Sequence, residues 1–340
     1  MLARAGRDDK AGASNLAHAL GGLPLAAEQA AVFLKNRRGV TFDEYAADIP
    51  RLIKRRRDAG ALGNYPDTVY AAFVKSLETL DQSDAGMTAL DVVRLCAFLS
   101  PDGVDLALLL IDEDNKILPA DFAAAMADTY QREDALSALA SLSLLRQEEG
   151  PAGTVLIFHR LLLDVTRDWM GADARDLWGS AAVRLVNDAF PYDSDDDPSQ
   201  WPLCARLMPH IAPLDNYAAR VGITGKSLDR LLNQACGYLF GRGDLAGALA
   251  LAMAVGSVGL ARLTRGEDPL GLAASLSNMA GRYLDLHRLN DAETAYREAL
   301  SLAEPLLEPN DPRLATTLER IPVMWRRSLH VGSNWRIPAG

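Results

Sequence analysis

Three short segments carry residue types that could handle phosphate or a cation. Gly222-Ile-Thr-Gly225-Lys226-Ser227 ends like a phosphate loop, in which backbone N–H groups and a lysine cradle phosphate oxygens. That pattern needs a glycine at position 220, which is Arg220, and an apolar strand before it, which this stretch lacks. Phosphate binding is therefore rejected there, and Thr224 or Ser227 is expected to cap the next helix. Asp193, Asp195 and Asp197 alternate as in a calcium loop, but Pro198 replaces the required glycine and Cys204 the bidentate glutamate. A solvated linker is the better reading. His159 follows the β-forming run Thr154–Phe158 and precedes a helical pattern from Arg160. At such a turn an imidazole can donate to a phosphate oxygen. Lys54-Arg55-Arg56-Arg57 reads as a solvated helix face, and Cys96 as core. No Ser/His/Asp or Cys/His set, carboxylate pair or metal-ligand spacing stands out, so no catalytic residue and no metal ligand is assigned.

The elements that must position these residues read as helices. Among 340 residues, 49% are hydrophobic, mostly Ala and Leu, and only 6% are aromatic. Those are strong helix formers, so a mainly α protein of two or three domains is expected. The net charge of -10 opposes phosphate backbones and anionic membranes. Cys96, Cys204 and Cys236 make no disulfide framework and suit a reducing, cytoplasmic setting. The longest uncharged stretch, Leu245 to Ala261, is short for a membrane span and reads as a packed soluble helix.

Asn15 could cap a first helix that ends at Gly21-Gly22, and Pro24 opens a second through Leu25, Ala26, Gln29, Ala30, Phe33 and Leu34. Thr41-Phe-Asp-Glu44 is a capping box. Helices follow at Asp67–Leu80, Met87–Leu99, Val104–Ile111 and Asp134–Leu142. Leu144–Gln147 and Thr154–Phe158 flank Glu148–Gly153 as a hairpin, before a helix at Arg160–Met170. Several helices followed by a hairpin make a winged-helix pattern. Pro191 to Pro202 is a polar loop and hinge. Beyond it, Asn233-Gln-Ala-Cys-Gly-Tyr238 is echoed by Asn278-Met-Ala-Gly-Arg-Tyr283, and Asp268-Pro269 by Asp311-Pro312, at a spacing of 43–45 residues.

The corner Leu20-Gly21-Gly22-Leu23-Pro24-Leu25 and the run Phe158-His159-Arg160-Leu161 lie about 135 residues apart. With Leu2-Ala3-Arg4 and Gly6-Arg7 upstream, and Glu28-Gln29-Ala30-Ala31 beyond the corner, they resemble the C-terminal half of the nucleotide-binding module of STAND-type signalling ATPases, the NB-ARC group. The resemblance covers residues 1–170 and implies that Pro24, with Gly22 and Leu23, packs on adenine while His159 reaches the inner phosphate. The His-Arg-Leu form is the bacterial one; plant and animal relatives have Met-His-Asp. The family's phosphate loop, its lysine and its magnesium-binding carboxylates are absent from this sequence, which starts after their place. Residues 231–318 resemble the long-linker tetratricopeptide repeats of kinesin light chains, with Asn278, Ala280, Tyr283, Ala292, Glu293, Tyr296 and Ala299-Leu300 in family positions. That resemblance implies a concave face on which Asn233, Asn278 and Arg282 meet a protein partner. A third unit starts at Asp311 and loses the pattern at Glu319–Pro322.

These readings divide the chain into a partial NB-ARC helical subdomain (1–66), a winged-helix domain (67–170), a helical linker with an acidic loop (171–230), about two repeats with a truncated third (231–320) and an irregular tail (321–340). The expected function is a non-catalytic protein-interaction and regulatory scaffold derived from a STAND switch. It requires no cofactor, although the resemblance implies ADP or ATP in a longer parent protein. The alternative is an ADP/ATP-binding signalling switch of which this chain is a fragment. Self-association is a further partner option, while membrane and nucleic acid are not expected partners; the winged helix lacks a basic recognition helix.

Overall fold

The structure is a computed structural model and describes residues 1–58, 63–80, 83–111, 117–192, 197–221, 226–253, 269–285 and 287–307. It is mainly α and divides into two compact units, Met1–Leu185 and Val186–Gly340.

In the first unit, α1 (Leu2–Ala5), α2 (Lys10–Ala19), α3 (Pro24–Asn36), α4 (Phe42–Asp58) and α5 (Asp67–Leu80) pack together, α3 and α4 both against α5. Local chemistry sets their ends. Asp9, not Asn15, caps α2: its carboxylate accepts from the Gly12 N–H at 2.9 Å, while Asn15 lies inside the helix and donates to Asp43. The Thr41/Glu44 box forms reciprocally. Glu44 N–H donates to Thr41 Oγ1 at 3.1 Å, Thr41 N–H donates to the Glu44 carboxylate at 2.7 Å, and these bonds lower the glutamate pKa. On α4, Phe42, Tyr45, Ile49, Leu52 and Arg56 form the buried face at alternating three- and four-residue steps.

The next elements run α6 (Asp84–Cys96), β1 (Val104–Asp105), a 3₁₀ turn (Leu106–Leu110), α7 (Ala120–Ala127), α8 (Thr129–Ser141), β2 (Leu145–Gly150), β3 (Gly153–Phe158) and α9 (Arg160–Trp169). The antiparallel sheet has the order β1-β3-β2. Four expectations are corrected here. Helix α6 starts at Asp84, because Ser83 caps it by accepting from Gly86 N–H. The predicted helix Val104–Ile111 is a strand and a 3₁₀ turn, because Val104 and Asp105 pair with Leu156 and Val155. Helix α8 starts at Thr129, with Asp128 accepting from Gln131 N–H. The hairpin turn shrinks to Pro151-Ala152, since Glu148, Glu149 and Gly150 continue β2 opposite Val155, Thr154 and Gly153.

Helix α10 (Ala172–Ala189) carries Trp178 edge-on against Phe122 of α7. The second unit contains α11 (Trp201–Val221), α12 (Lys226–Gly241), α13 (245–253), α14 (Pro269–Asp285) and α15 (Leu289–Ala303). Helices α14 and α15 pack closely through Ala273, Ala280, Ala292, Ala295 and Ala299, with Tyr283 and Tyr296 between them. No described helix is long and apolar enough to cross a membrane. Part of the Leu245–Ala261 stretch, residues 254–261, lies outside the described residues.

Candidate functional site

The corner at Gly21–Pro24 forms as its residue types dictate. Gly21 and Gly22 adopt φ of +68° and +69°, a left-handed conformation that costs other residues about 1–2 kcal/mol. Their N–H groups return to His18 O and Ala17 O at 2.9 Å each, closing α2. Leu23 is extended, and Pro24 occupies the first turn of α3, where its missing N–H leaves nothing unsatisfied. A Cβ on either glycine would meet nothing within 4 Å, so φ rather than crowding requires glycine. Both glycines and Pro24 are exposed.

His159 sits at the turn from β3 into α9 and caps that helix. Its Nδ1 accepts the Leu161 N–H at 3.2 Å, which puts the proton of the neutral ring on Nε2. Phe73 of α5 lies against the imidazole, with ring centroids 6.2 Å apart. Partial desolvation, then the Arg160 charge, lowers the histidine pKa. Helices α3 and α9 both pack on α5, yet among the described residues no hydrogen bond or ring contact joins Pro24 to His159.

The basic run is not a uniformly solvated face, and this corrects the sequence reading. Arg55 pairs with Glu78 at 2.8 Å and Arg57 with Asp67 at 2.9 Å, both from exposed positions. Arg56 points inward, its side chain 7% exposed. It donates to Asp67 Oδ1 at 2.7 Å and to the carbonyls of Tyr65 and Gly63 at 2.9 and 2.5 Å, and stacks 4.1 Å from the Tyr65 ring centre. Asp168 of α9 completes the knot, accepting from Tyr65 Oη at 2.5 Å and Gly63 N–H at 3.1 Å. Arg56 therefore ties α4 to the segment before α5 and, through Asp168, to α9. The signal was present in the sequence: Arg56 continues the Phe42–Leu52 stripe at helical spacing.

In the second unit the two helical hairpins close with one geometry. Gly243 N–H returns to Phe240 O and Asp244 N–H to Leu239 O, at 2.8 Å each. His287 N–H returns to Leu284 O at 2.9 Å and Arg288 N–H to Tyr283 O at 2.8 Å. Gly243 and His287 both have positive φ, +79° and +56°. The turns are 44 residues apart, while Asn233 and Asn278 are 45 apart, so one residue is lost between the asparagine and the turn. The two asparagines meet directly: Asn278 Nδ2 donates to Asn233 Oδ1 at 3.0 Å, and Asn233 Nδ2 donates to Asp229 O at 2.8 Å. The first of these bonds joins the first helices of successive hairpins, and the second lies within α12. The side chain of Arg282 lies outside the described residues.

Of the remaining sequence candidates, Ser227 is the second residue of α12, and Asp197 accepts from Ser199 N–H at 3.0 Å to cap a 3₁₀ turn. Residues 193–196 and 222–225, Asp268, the third repeat from Asp311 and the tail 321–340 lie outside the described residues. Cys96, Cys204 and Cys236 are buried and form no disulfide, and the Cys236 thiol donates to Ala248 O at 3.1 Å. Among the described residues no group of three or more His, Cys, Asp or Glu is arranged to hold a metal ion. No known family model and no curated protein matches the chain.

Proposed function

We propose that this chain is a non-catalytic protein-interaction scaffold, built from an NB-ARC-like helical part, a winged-helix-like part and tetratricopeptide-like repeats that bind a protein partner. One observation carries the reading: two helical hairpins 44 residues apart close with the same pair of turn hydrogen bonds and are joined by the Asn233–Asn278 bond. Stacked repeats of this kind present an extended face suited to a peptide or protein. The Gly-Gly-Leu-Pro corner, His159 at a strand-to-helix turn, and the order helix, strand, helix, helix, strand, strand from α6 to β3 support the NB-ARC and winged-helix assignments. The exposed side of α8 carries Glu133 and Asp134, Arg132 turns back to Met126 O at 2.6 Å, and β2 carries Glu148 and Glu149. Such a surface repels nucleic acid.

The test is a pull-down from the native host with wild type and the double variant Asn233→Ala, Asn278→Ala, after circular dichroism has shown that the variant is folded. Loss of a specific partner supports the repeat face. A folded variant that retains every partner moves the binding site to the first unit.

A second reading, an adenine-nucleotide switch, is favoured by the Nε2–H donor of His159 at an exposed turn. Contacts from Pro24 and His159 alone correspond to millimolar affinity or weaker. Calorimetry showing micromolar ADP binding to this chain would place the switch reading ahead of the scaffold.

A further inference from the structure

A cleft of about 430 Å³ opens between Ala19, at the end of α2, and one side of α4. Its volume falls within the range of small-molecule sites, roughly 300–1,000 Å³. Neither Pro24 nor His159 lines it. Ile49, which is buried, forms the floor with Pro50 and Ile53. Proline has no N–H, so Pro50, which lines the cleft, leaves the Ala46 carbonyl without its helical donor. Lys54 stands at the other end. It is exposed, and among the described residues it makes no hydrogen bond or ion pair. Arg57, also at that end, is drawn to Asp67 at 2.9 Å, and Asp58 adds a carboxylate to the rim. The cleft is therefore an apolar slot with one unmatched cation.

Ala46, Pro50 and Lys54 follow at four-residue steps along one side of the helix, with Ile49 and Ile53 beside them. The eight helical steps from Ala46 to Lys54 span about 12 Å, matching a saturated chain of about ten carbons. From these features we propose that the cleft binds an elongated amphipathic monoanion, a medium-chain carboxylate, with its chain over Ile49, Pro50 and Ile53 and its head on the Lys54 ammonium. The Asp58 carboxylate disfavours a second negative charge, so a monoanion is preferred to a dianion.

Isothermal titration of the full chain with decanoate tests this, with decylamine as the charge-reversed control. For a ligand of this size in an open cleft, wild type is expected to saturate with a Kd on the order of 0.1 mM, and to bind decanoate at least fivefold more tightly than decylamine. Lys54→Glu should weaken decanoate at least fivefold and remove that preference. Ala19→Trp, a substitution at an exposed position that fills the mouth, should abolish binding of both. Both variants alter exposed residues, and circular dichroism checks that they remain folded. A wild type that does not saturate, or decanoate affinity unchanged within twofold in both variants, overturns the proposal. A loss confined to Ala19→Trp retains the cleft but refutes the anionic class. A loss confined to Lys54→Glu shows that the ligand lies outside the cleft.

Discussion

Replacing Arg56 by methionine tests whether the buried guanidinium is a structural tie. Truncating one partner of a buried, hydrogen-bonded ion pair typically costs about 3–5 kcal/mol. Two features reduce that figure here. Asp67 keeps Arg57, and Asp168 keeps both Tyr65 Oη and Gly63 N–H, so neither carboxylate is stranded. The carbonyls of Gly63 and Tyr65 lose their donor, at about 1–3 kcal/mol for each if buried and less if water reaches it. Methionine recovers part of the apolar contact with Tyr65 and Tyr70. The expected cost is about 2–4 kcal/mol, which lowers the melting temperature of a unit this size by about 5–15 °C. Arg55→Met is the matched control, because its Glu78 pair is half exposed and is worth no more than about 1 kcal/mol. Arg56→Lys keeps the charge but loses the planar fork, and should fall between the two. Calorimetric melting of the three variants beside wild type measures the series. A loss below about 1 kcal/mol in Arg56→Met, within the surface range, would refute the buried-tie argument.

Three further outcomes are expected. Gly86→Ala places a Cβ 1.9 Å from the Leu80 carbonyl oxygen and should cost about 2–3 kcal/mol in urea unfolding; Gly22→Ala meets no neighbour and should cost only the about 1–2 kcal/mol of its left-handed φ. The lowered pKa of His159 means that the unfolded chain binds its proton more readily, so its contribution to stability is complete above pH 6.5 and is lost as the pH falls through and below that value. Melting temperatures between pH 7.5 and 5.5 should therefore fall less in His159→Asn, whose amide can still cap α9, than in wild type. Asn278→Ala leaves Asn233 Oδ1 without its donor and should destabilise the second unit by about 1 kcal/mol on thermal unfolding; no change would show that water replaces the bond.

Features governed by near neighbours were legible in the sequence. The Thr41/Glu44 box, the Gly21-Gly22 stop and Pro24 at the start of α3 each depend on residues a few positions apart, and all three formed. The Val104–Ile111 run was misread because a short apolar segment fits helix or strand equally, and its pairing with β3, some fifty residues on, decides which. The ends of the hairpin shifted because Glu148 and Glu149 are poor strand formers kept in register by Val155 and Thr154 across the sheet. Arg56 was hidden by its company: four adjacent cations look alike until the helical stripe from Phe42 is extended to it. The echo of Asn233 in Asn278 was legible as a repeat, but the hydrogen bond between them depends on how the two hairpins pack, which the spacing alone does not fix.

Strand β2 has consequences for the chain before it is fully packed. It forms one edge of the three-stranded sheet, and an open edge can recruit a strand from another molecule. Leu145 is its only buried side chain; Arg146, Gln147, Glu148 and Glu149 follow in unbroken succession, all exposed. Two like copies approaching along that border would have to desolvate four glutamates and two arginines, with Arg146 already paired to Glu148, beside a hairpin tip that offers little apolar surface. The apolar strand β3, whose Val155, Leu156, Ile157 and Phe158 would otherwise be an attractive template for aggregation, is kept in the middle of the sheet. The run of charge on β2 is thus a gatekeeper, protecting a newly made chain from sticking to its neighbours while the helices around the sheet are still assembling.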